Sequence, residues 1–464
     1  MNRMRFFLAA LTSLLFGGLL CADAPPNIVY LISDDQTFSD FGFMGHPEVL
    51  TPNLDRLSRK SAVYKNGYVP SSVCRPSLVT LLTGLYPHQH SVHFNHPPPG
   101  FSKLTKDPKM TKSRYDELRE AGANLITVQP SLPRILAQNG YRCFQTGKYW
   151  EGHWRNARFT EGMTLNKASS AKHGNKTLPN GEVVAHGNGD AGLAIGRETM
   201  KPIFRFLDQC GTSQPFFLWY APFLPHTPHD SPERFFELYE NRPGVEPHQV
   251  PYFASISQFD ETVGTLLSAL EERGQLENTL IVFVVDNGWS PDQNKPKGSE
   301  FNHTNESKRA PFDDGVRTPI LLSWPGKTVP ASHDGLVSSI DLMPTALRAA
   351  GIDPPAALPG VNLLPSAKGQ TPLDPTRAVF GAIYPGDASV LGDPAKDVAY
   401  RWVRQGDLKL IAPTRQKPWG SYVETNWLSN LADDPGETTN LTSEPEFAAD
   451  HLRLKKLLDD WWDP

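Results

Sequence analysis

The sequence predicts an α/β fold: a large, mostly parallel sheet sandwiched by helices, followed by a small C-terminal antiparallel sheet plus helix. Three observations carry this. The runs Asn27–Ser33 (NIVYLIS) and Ile281–Val285 (IVFVV) are almost wholly apolar, as strands buried on both faces must be. Segments with helical apolar spacing alternate with such runs. From about Pro372 the pattern changes to short paired strands and one terminal helix.

Asn27–Ser33 is the first strand and ends in Asp34-Asp35. Leu78 to Leu82 continues as a helix from the segment after Cys74, and Gly84 stops it. Leu132 to Asn139 is a further helix closed by Gly140, and Cys143 sits in a buried strand, Tyr141 to Phe144. Phe216 to Tyr220 is a strand. Ile256, Phe259, Val263, Leu266, Leu267 and Leu270 recur at helical spacing until Gly274. Ile281–Val285 ends in Asp286-Asn287, and Ile320 to Ser323 is the next strand. Tyr400 to Arg404 and Leu408 to Ile411 flank the turn at Gln405-Gly406-Asp407. Leu454, Leu457, Leu458 and Trp461 mark one face of the last helix. The segments Phe94 to Asn124 and Thr164 to Gly189 read as long loops that shape a pocket.

The 464 residues suit one large domain with an appendage, divided here as a signal peptide at 1–24, a catalytic α/β domain at 25–371 and a C-terminal subdomain at 372–464. With 39% hydrophobic and 20% charged residues a packed core is feasible. A net charge of -5 does not indicate a nucleic-acid footprint. Arg3 and Arg5, the apolar run Phe6 to Leu20 and the small-x-small site Ala22-Asp23-Ala24 predict export to the periplasm or the extracellular space. A retained anchor is the alternative. No later stretch is apolar and long enough to span, so no stable membrane span is expected in the mature chain. Cys21, Cys74, Cys143 and Cys210 form no disulfide framework, although export would permit a Cys143–Cys210 bridge.

Two buried strands ending in Asp34-Asp35 and Asp286-Asn287 place four oxygen-bearing side chains at the carboxyl edge of a parallel sheet, where α/β folds bind ligands. Either pair alone reads as an ordinary turn. Their coincidence points to a hard cation, calcium ahead of magnesium. Cys74 lies just before a helix, where developing negative charge is favoured; a lone cysteine is otherwise a small core residue. Lys148 and His226 follow strand ends, and Lys308 lies in the loop between two strands. Lysines there would neutralise a tetrahedral oxyanion, and a histidine would protonate a leaving oxygen. Each of the three, taken singly, reads better as a surface charge or a loop histidine.

From Pro26 to the C-terminus the motifs resemble, in order, those of the formylglycine-dependent sulfatases of the alkaline-phosphatase-like superfamily. The resemblance rests on PNIVYLISDDQ, TPNLDRL (Thr51 to Leu57), CRPSLVTLLTG with Tyr86-Pro87-His88, Asp286-Asn287-Gly288, Lys308 with DGVRTP, and DDPGETTNL from Asp433. It implies that Asp34, Asp35, Asp286 and Asn287 bind a calcium ion together with Cys74 converted to formylglycine. It implies that Lys148, His226 and Lys308 hold the sulfate and its leaving oxygen. A hydrated formylglycine carries two geminal oxygens, one to attack sulfur and one to expel sulfate. Two positions depart from the family. The arginine of Cys-x-Pro-x-Arg is Leu78, which is expected to pack into the core and leave Arg75 as the nearest cation. The histidine often found two residues after the Lys148 position is Trp150, with His153 the nearest substitute.

The expected partners are a sulfated small molecule or glycan and, during maturation, a formylglycine-generating enzyme. The expected reaction is hydrolysis of a sulfate ester, O-linked ahead of N-linked, on a sulfated carbohydrate or aryl sulfate. A phosphonate or phosphate ester hydrolase on the same fold, and a catalytically silent binder of sulfated glycan motivated by Leu78, are the alternatives.

Overall fold

The computed structural model describes residues 24–289, 306–384, 386–414 and 422–464. The segment read as a signal peptide, Cys21 included, lies outside the described residues up to position 23. Among the described residues no helix is long and apolar enough to cross a membrane.

The first apolar run forms β1 (Asn27–Ser33), buried at every position. It is joined in chain order by β2 (Ala62–Tyr68), β3 (Arg142–Gly147) and β4 (Glu161–Gly162). A small hairpin, β5 (Asn175–Thr177) and β6 (Val183–Ala185), stands apart. Then come β7 (Phe216–Ala221), β8 (Thr279–Val285), β9 (Arg317–Ser323), β10 (Ala331–His333) and β11 (Val337–Ser338). The nine-stranded sheet runs β10-β2-β9-β8-β1-β7-β3-β4, with β11 also on β2. From β8 to β4 every pair is parallel. β9 alone reverses, antiparallel to both β8 and β2.

Alternation along β1 divides the core. Ile28, Tyr30 and Ile32 pack with the helices Cys74–Thr83 and Leu342–Ala349 on one face. Val29 and Leu31 pack with the helices Lys201–Cys210 and Val250–Glu272 on the other. Cys143 belongs to the first face and Cys210 to the second, both as free thiols, so no bridge joins them.

The C-terminal sheet is β12 (Ala378–Ile383), β13 (Tyr400–Gln405), β14 (Leu408–Pro413) and β15 (Trp427–Asn430), antiparallel throughout. The helix Ala448–Trp461 lays Leu454 and Leu458 on Val403, Leu410 and Leu428.

Three elements differ from expectation. β2 has no apolar run, because Lys65-Asn66-Gly67 interrupts it; there the pairing to β9 shifts register, and a Cβ at Gly67 would lie 2.4 Å from the Thr318 carbonyl. The long helix begins at Val250 rather than near Ile256. The segment 94–124 is not all loop. It contains the helices Phe101–Lys106 and Lys112–Ala123, the second capped by Thr111, whose hydroxyl accepts from the Arg114 amide at 3.3 Å. Its buried residues are Tyr115, Arg119, Gly122 and Ala123, which leave no apolar stripe to read.

Candidate active site

Because β8, β1, β7 and β3 run parallel, their carboxyl ends share one edge, and the residues after each strand are delivered there. The ladder continues one step beyond the strands. Asp34 N donates to Leu224 O at 3.0 Å, Asp286 N to Ser33 O at 2.9 Å and Lys148 N to Ala221 O at 2.6 Å. The reversed β9 brings its amino end to the same edge, with Lys308 in the loop before it.

Asp35 lies at the centre in a left-handed conformation, φ 58°, which aspartate tolerates better than most residues. Its amide donates to Asp286 Oδ1 at 3.0 Å, and Asn287 Nδ2 donates to its Oδ1 at 2.7 Å. Lys308 Nζ sits 2.5 Å from both its oxygens. His226 Nε2 is 3.4 Å from Oδ2, and the Cys74 thiol donates to Oδ1 at 3.6 Å. Lys148 Nζ bonds Asp34 Oδ1 at 2.5 Å and lies 3.6 Å from Asp286 Oδ2. Thus Asp34, Asp35, Cys74, Lys148, His226, Asp286, Asn287 and Lys308 meet at one point.

The donor set fits a hard cation. Asp34, Asp35, Cys74 and His226 each present a ligand atom within 4.8 Å of the others. Asp34 Oδ2, Asp286 Oδ2 and Asn287 Oδ1 are buried with no hydrogen-bond partner among the described residues, a costly state for acceptor oxygens unless a cation takes them up. Burial alone would lower Lys148, but Asp34, Cys74, Asp286 and Asp35 outweigh it and hold the ammonium well above the usual lysine value. Burial alone would raise Asp35, but Lys308, His226 and Lys148 hold it well below the carboxylate range. Burial pushes the Cys74 thiol up to about 12, against the pull of Lys148 and Lys308, so the sulfur is held as a thiol. Burial, with Lys148 and Lys308 adding to it and Asp35 opposing, holds His226 well below the usual histidine value.

Cys74 opens its helix, and Leu78 packs in the core at 2% exposure, as expected from sequence. Arg75 is not brought to the cluster. Its guanidinium forks onto Glu151 at 2.6 and 2.8 Å and lies over the Phe94 ring, while its amide donates to Asn95 Oδ1. His153 is spent on the turn Trp154–Ala157, where its Nδ1 accepts from Arg155 N at 3.1 Å. Trp150 is buried against His96, rings 5.4 Å apart. Sequence reasoning missed Arg197, which anchors the His226 loop by donating to the carbonyls of Phe223 and His226, each at 2.6 Å. Nothing in spacing or composition marks it, because its partners lie about thirty residues away.

A family model described as sulfatase matches residues 26–352, and one described as N-sulphoglucosamine sulphohydrolase, C-terminal, matches 302–462. The chain is 30% identical to human arylsulfatase A over 390 residues, covering 78% of this chain and 71% of that one. It is 27% identical to human N-acetylgalactosamine-6-sulfatase over 404 residues, covering 82% and 72%. The solved structure of Ps i-CgsB in complex with k-i-k-neocarrahexaose superposes with a TM-score of 0.68 at 21% identity, over 94% of this chain and 92% of that one. With the family model spanning most of the sequence, and named sulfatases aligned along most of it, the chain belongs to the sulfatase family and is a sulfuric ester hydrolase.

Proposed function

We propose that this hydrolase removes sulfate from a sulfated carbohydrate or an aryl sulfate, using a formylglycine made from Cys74 and a calcium ion held by Asp34, Asp35, Asp286 and Asn287. The observation that carries the reading is the meeting of three carboxylates, one amide and two lysines around residue 74 at one sheet edge. Calcium would neutralise the carboxylates and acidify a hydroxyl at residue 74. A thiol is a poor partner for that ion, so the oxygen donors make better chemical sense beside an oxygen at position 74. Formylglycine, hydrated, would supply it as two geminal hydroxyls, one to attack sulfur and one to expel sulfate.

Lys148 and Lys308 would carry the charge of the transferring sulfuryl oxygens. His226 Nδ1 donates to the Thr227 carbonyl at 2.6 Å, so the neutral ring turns an unprotonated Nε2 toward Asp35; Nε2 would take up the proton released by the attacking hydroxyl of residue 74 and then pass it to the leaving oxygen. The names of the relatives, one an arylsulfatase and one acting on N-acetylgalactosamine 6-sulfate, support an O-linked ester. The matched C-terminal model supports including N-sulfated glucosamine among the candidates. Export through the segment 1–24 is part of the same reading.

Mass spectrometry of the Cys74 peptide, from protein isolated from its own host, is expected to find an aldehyde in place of the thiol. Protein coexpressed with a formylglycine-generating enzyme is then screened against sulfated sugars. An intact thiol alone at Cys74 sinks the mechanism and leaves a binder of sulfated glycan.

A further inference from the structure

Arg119 is a buried cation with no counterion among the described residues. It lies on the helix Lys112–Ala123 at 6% exposure. Among the described residues no carboxylate stands within ion-pair distance of it, and Glu151, the acid whose charge reaches it, is already forked to Arg75. Its guanidinium donates to Gly187 O at 2.6 Å, lies 5.4 Å from the Trp150 ring, and approaches His96 Nδ1 at 3.5 Å. Arginine only donates, so Nδ1 of His96 accepts and the ring proton sits on Nε2. An uncompensated buried charge is costly, and a fold keeps one where an ion of opposite sign completes it.

The neighbours of Arg119 extend this site. His186 and Asn188 flank Gly187 and interact with each other through their side chains, and Asn188 is 2% exposed. Arg309 reaches Gly386, whose carbonyl accepts the His96 amide at 3.1 Å. Lys176 lies over the Phe101 ring at 5.4 Å, and Phe101 packs on His96 at 4.7 Å. The acid in this wall, Asp387, accepts the Phe101 amide at 3.0 Å. The wall starts where the sulfate site ends. His186 lies against Phe223 at 6.2 Å, and Phe223 stacks on His226 at 4.3 Å and faces Lys148 at 5.7 Å. Arg309 follows Lys308 in the chain.

We infer that Arg119, with His96, His186, Lys176 and Arg309 around it, forms a second anion subsite, so that the substrate carries another oxyanion, a further sulfate or a uronate carboxylate, beside the scissile sulfate. The inference rests on the reading of the Cys74 centre as the sulfate ester site. A planar guanidinium matches a carboxylate or sulfate with two parallel donors. A lone aryl sulfate would leave Arg119 uncompensated.

Binding is read by calorimetry on the Cys74→Ala protein, which removes turnover from the measurement. The probes are a monosulfated disaccharide, the same sugar with a second sulfate, and the same sugar with a uronate. Affinity is expected to rise about ten-fold with the second oxyanion, the size of one charge-assisted contact. Adding Arg119→Gln is expected to cut that preference to within about two-fold, while Arg119→Lys, which keeps the charge but loses the fork, is expected to retain only part of it. Arg309→Gln, at an exposed position, is expected to reduce the preference in part and decides the matter should the Arg119→Gln protein not fold. Equal affinity for all three sugars, a preference untouched by both substitutions, or no binding of any of them overturns the subsite. Which doubly charged sugar binds more tightly identifies the oxyanion. Turnover is measured separately on coexpressed mature enzyme. Its absence, with the binding preference intact, sinks the sulfatase mechanism and leaves the subsite standing.

Discussion

Lys308 reaches the centre from the loop before β9 and touches both oxygens of Asp35. Its ammonium is held above the usual value because Asp35, Cys74 and Asp34 overcome the opposite pull of burial. On the proposed mechanism, a charge already fixed beside residue 74 would need no reorganisation when sulfuryl oxygens gain charge, so its removal would act on the transition state. Lys308→Ala is expected to lower kcat by about 100- to 1,000-fold with an unchanged circular dichroism spectrum; a loss under about three-fold would return Lys308 to a structural role. Most of this centre was legible in the sequence, because Asp34, Asp286, Lys148 and His226 each come after a strand that the apolar runs marked. Arg75 was misplaced for a physical reason. Proximity in sequence said it was near Cys74, but a helix turn sends its side chain to Glu151, a partner 76 residues away. Arg119 and Arg197 left no trace at all, since a lone arginine looks the same whether it faces solvent or a buried carbonyl.

Elements were readable where periodicity was strong and hidden where tertiary partners supplied what local sequence lacks. The helix Pro52–Ser58 shows the second case. Its N-cap Thr51 makes no side-chain cap bond. The cap comes instead from Asp260 on the helix Val250–Glu272, which accepts from the amides of Asn53 at 3.0 Å and Leu54 at 2.7 Å. Burial pushes Asp260 up to about 6, against the opposing pull of these amides. Its folded value therefore lies above the unfolded value of 3.8. Between the two the native state holds a proton that the unfolded chain has released, so this stabilisation is full below the unfolded value and lost as pH rises through about 6. Asp260→Asn keeps an acceptor but cannot titrate. Urea unfolding of both proteins at pH 4 and pH 7 is expected to show wild type losing up to about 3 kcal/mol relative to the variant over that interval. Parallel pH profiles would mean that Asp260 does not titrate there. β2 is the other hidden element: its polar centre is tolerable because β9 pairs it through a register shift, a fact that lies 250 residues away in the chain.

At the scale of the whole molecule, the two sheets are tied together by a buried network that ends at the active-site loop. Lys409 on β14 is fully buried, with Nζ 2.9 Å from Asp313 Oδ1 and 3.1 Å from Glu437 Oε2. Asp313 N donates to Glu437 Oε2 at 2.5 Å, and the Tyr68 hydroxyl of β2 donates to Asp313 at 2.9 Å. Asp313 stands five residues after Lys308, so the C-terminal sheet grips the loop that sets the lysine. Lys409→Met would leave Glu437 buried without its cation among the described residues, and Asp313 with only the looser Arg317 and Arg404 contacts at 3.6 and 3.7 Å. That is the expensive way to break a buried pair, and it is expected to cost about 3–5 kcal/mol of unfolding free energy and to lower kcat as the Lys308 loop loosens. Glu437→Gln in the same chain removes the stranded charge. Because the three groups share one network, the double variant is expected to be more stable than Lys409→Met alone, a coupling of about 1–3 kcal/mol. Urea titration of the four proteins of this cycle measures that coupling, and additivity within about 0.5 kcal/mol would show that Lys409 and Glu437 act independently. If kcat also recovers in the double variant, the loop and the second sheet answer to the same contact; if stability recovers and kcat does not, the charge of Lys409 itself is what holds Asp313, and through it Lys308, in place.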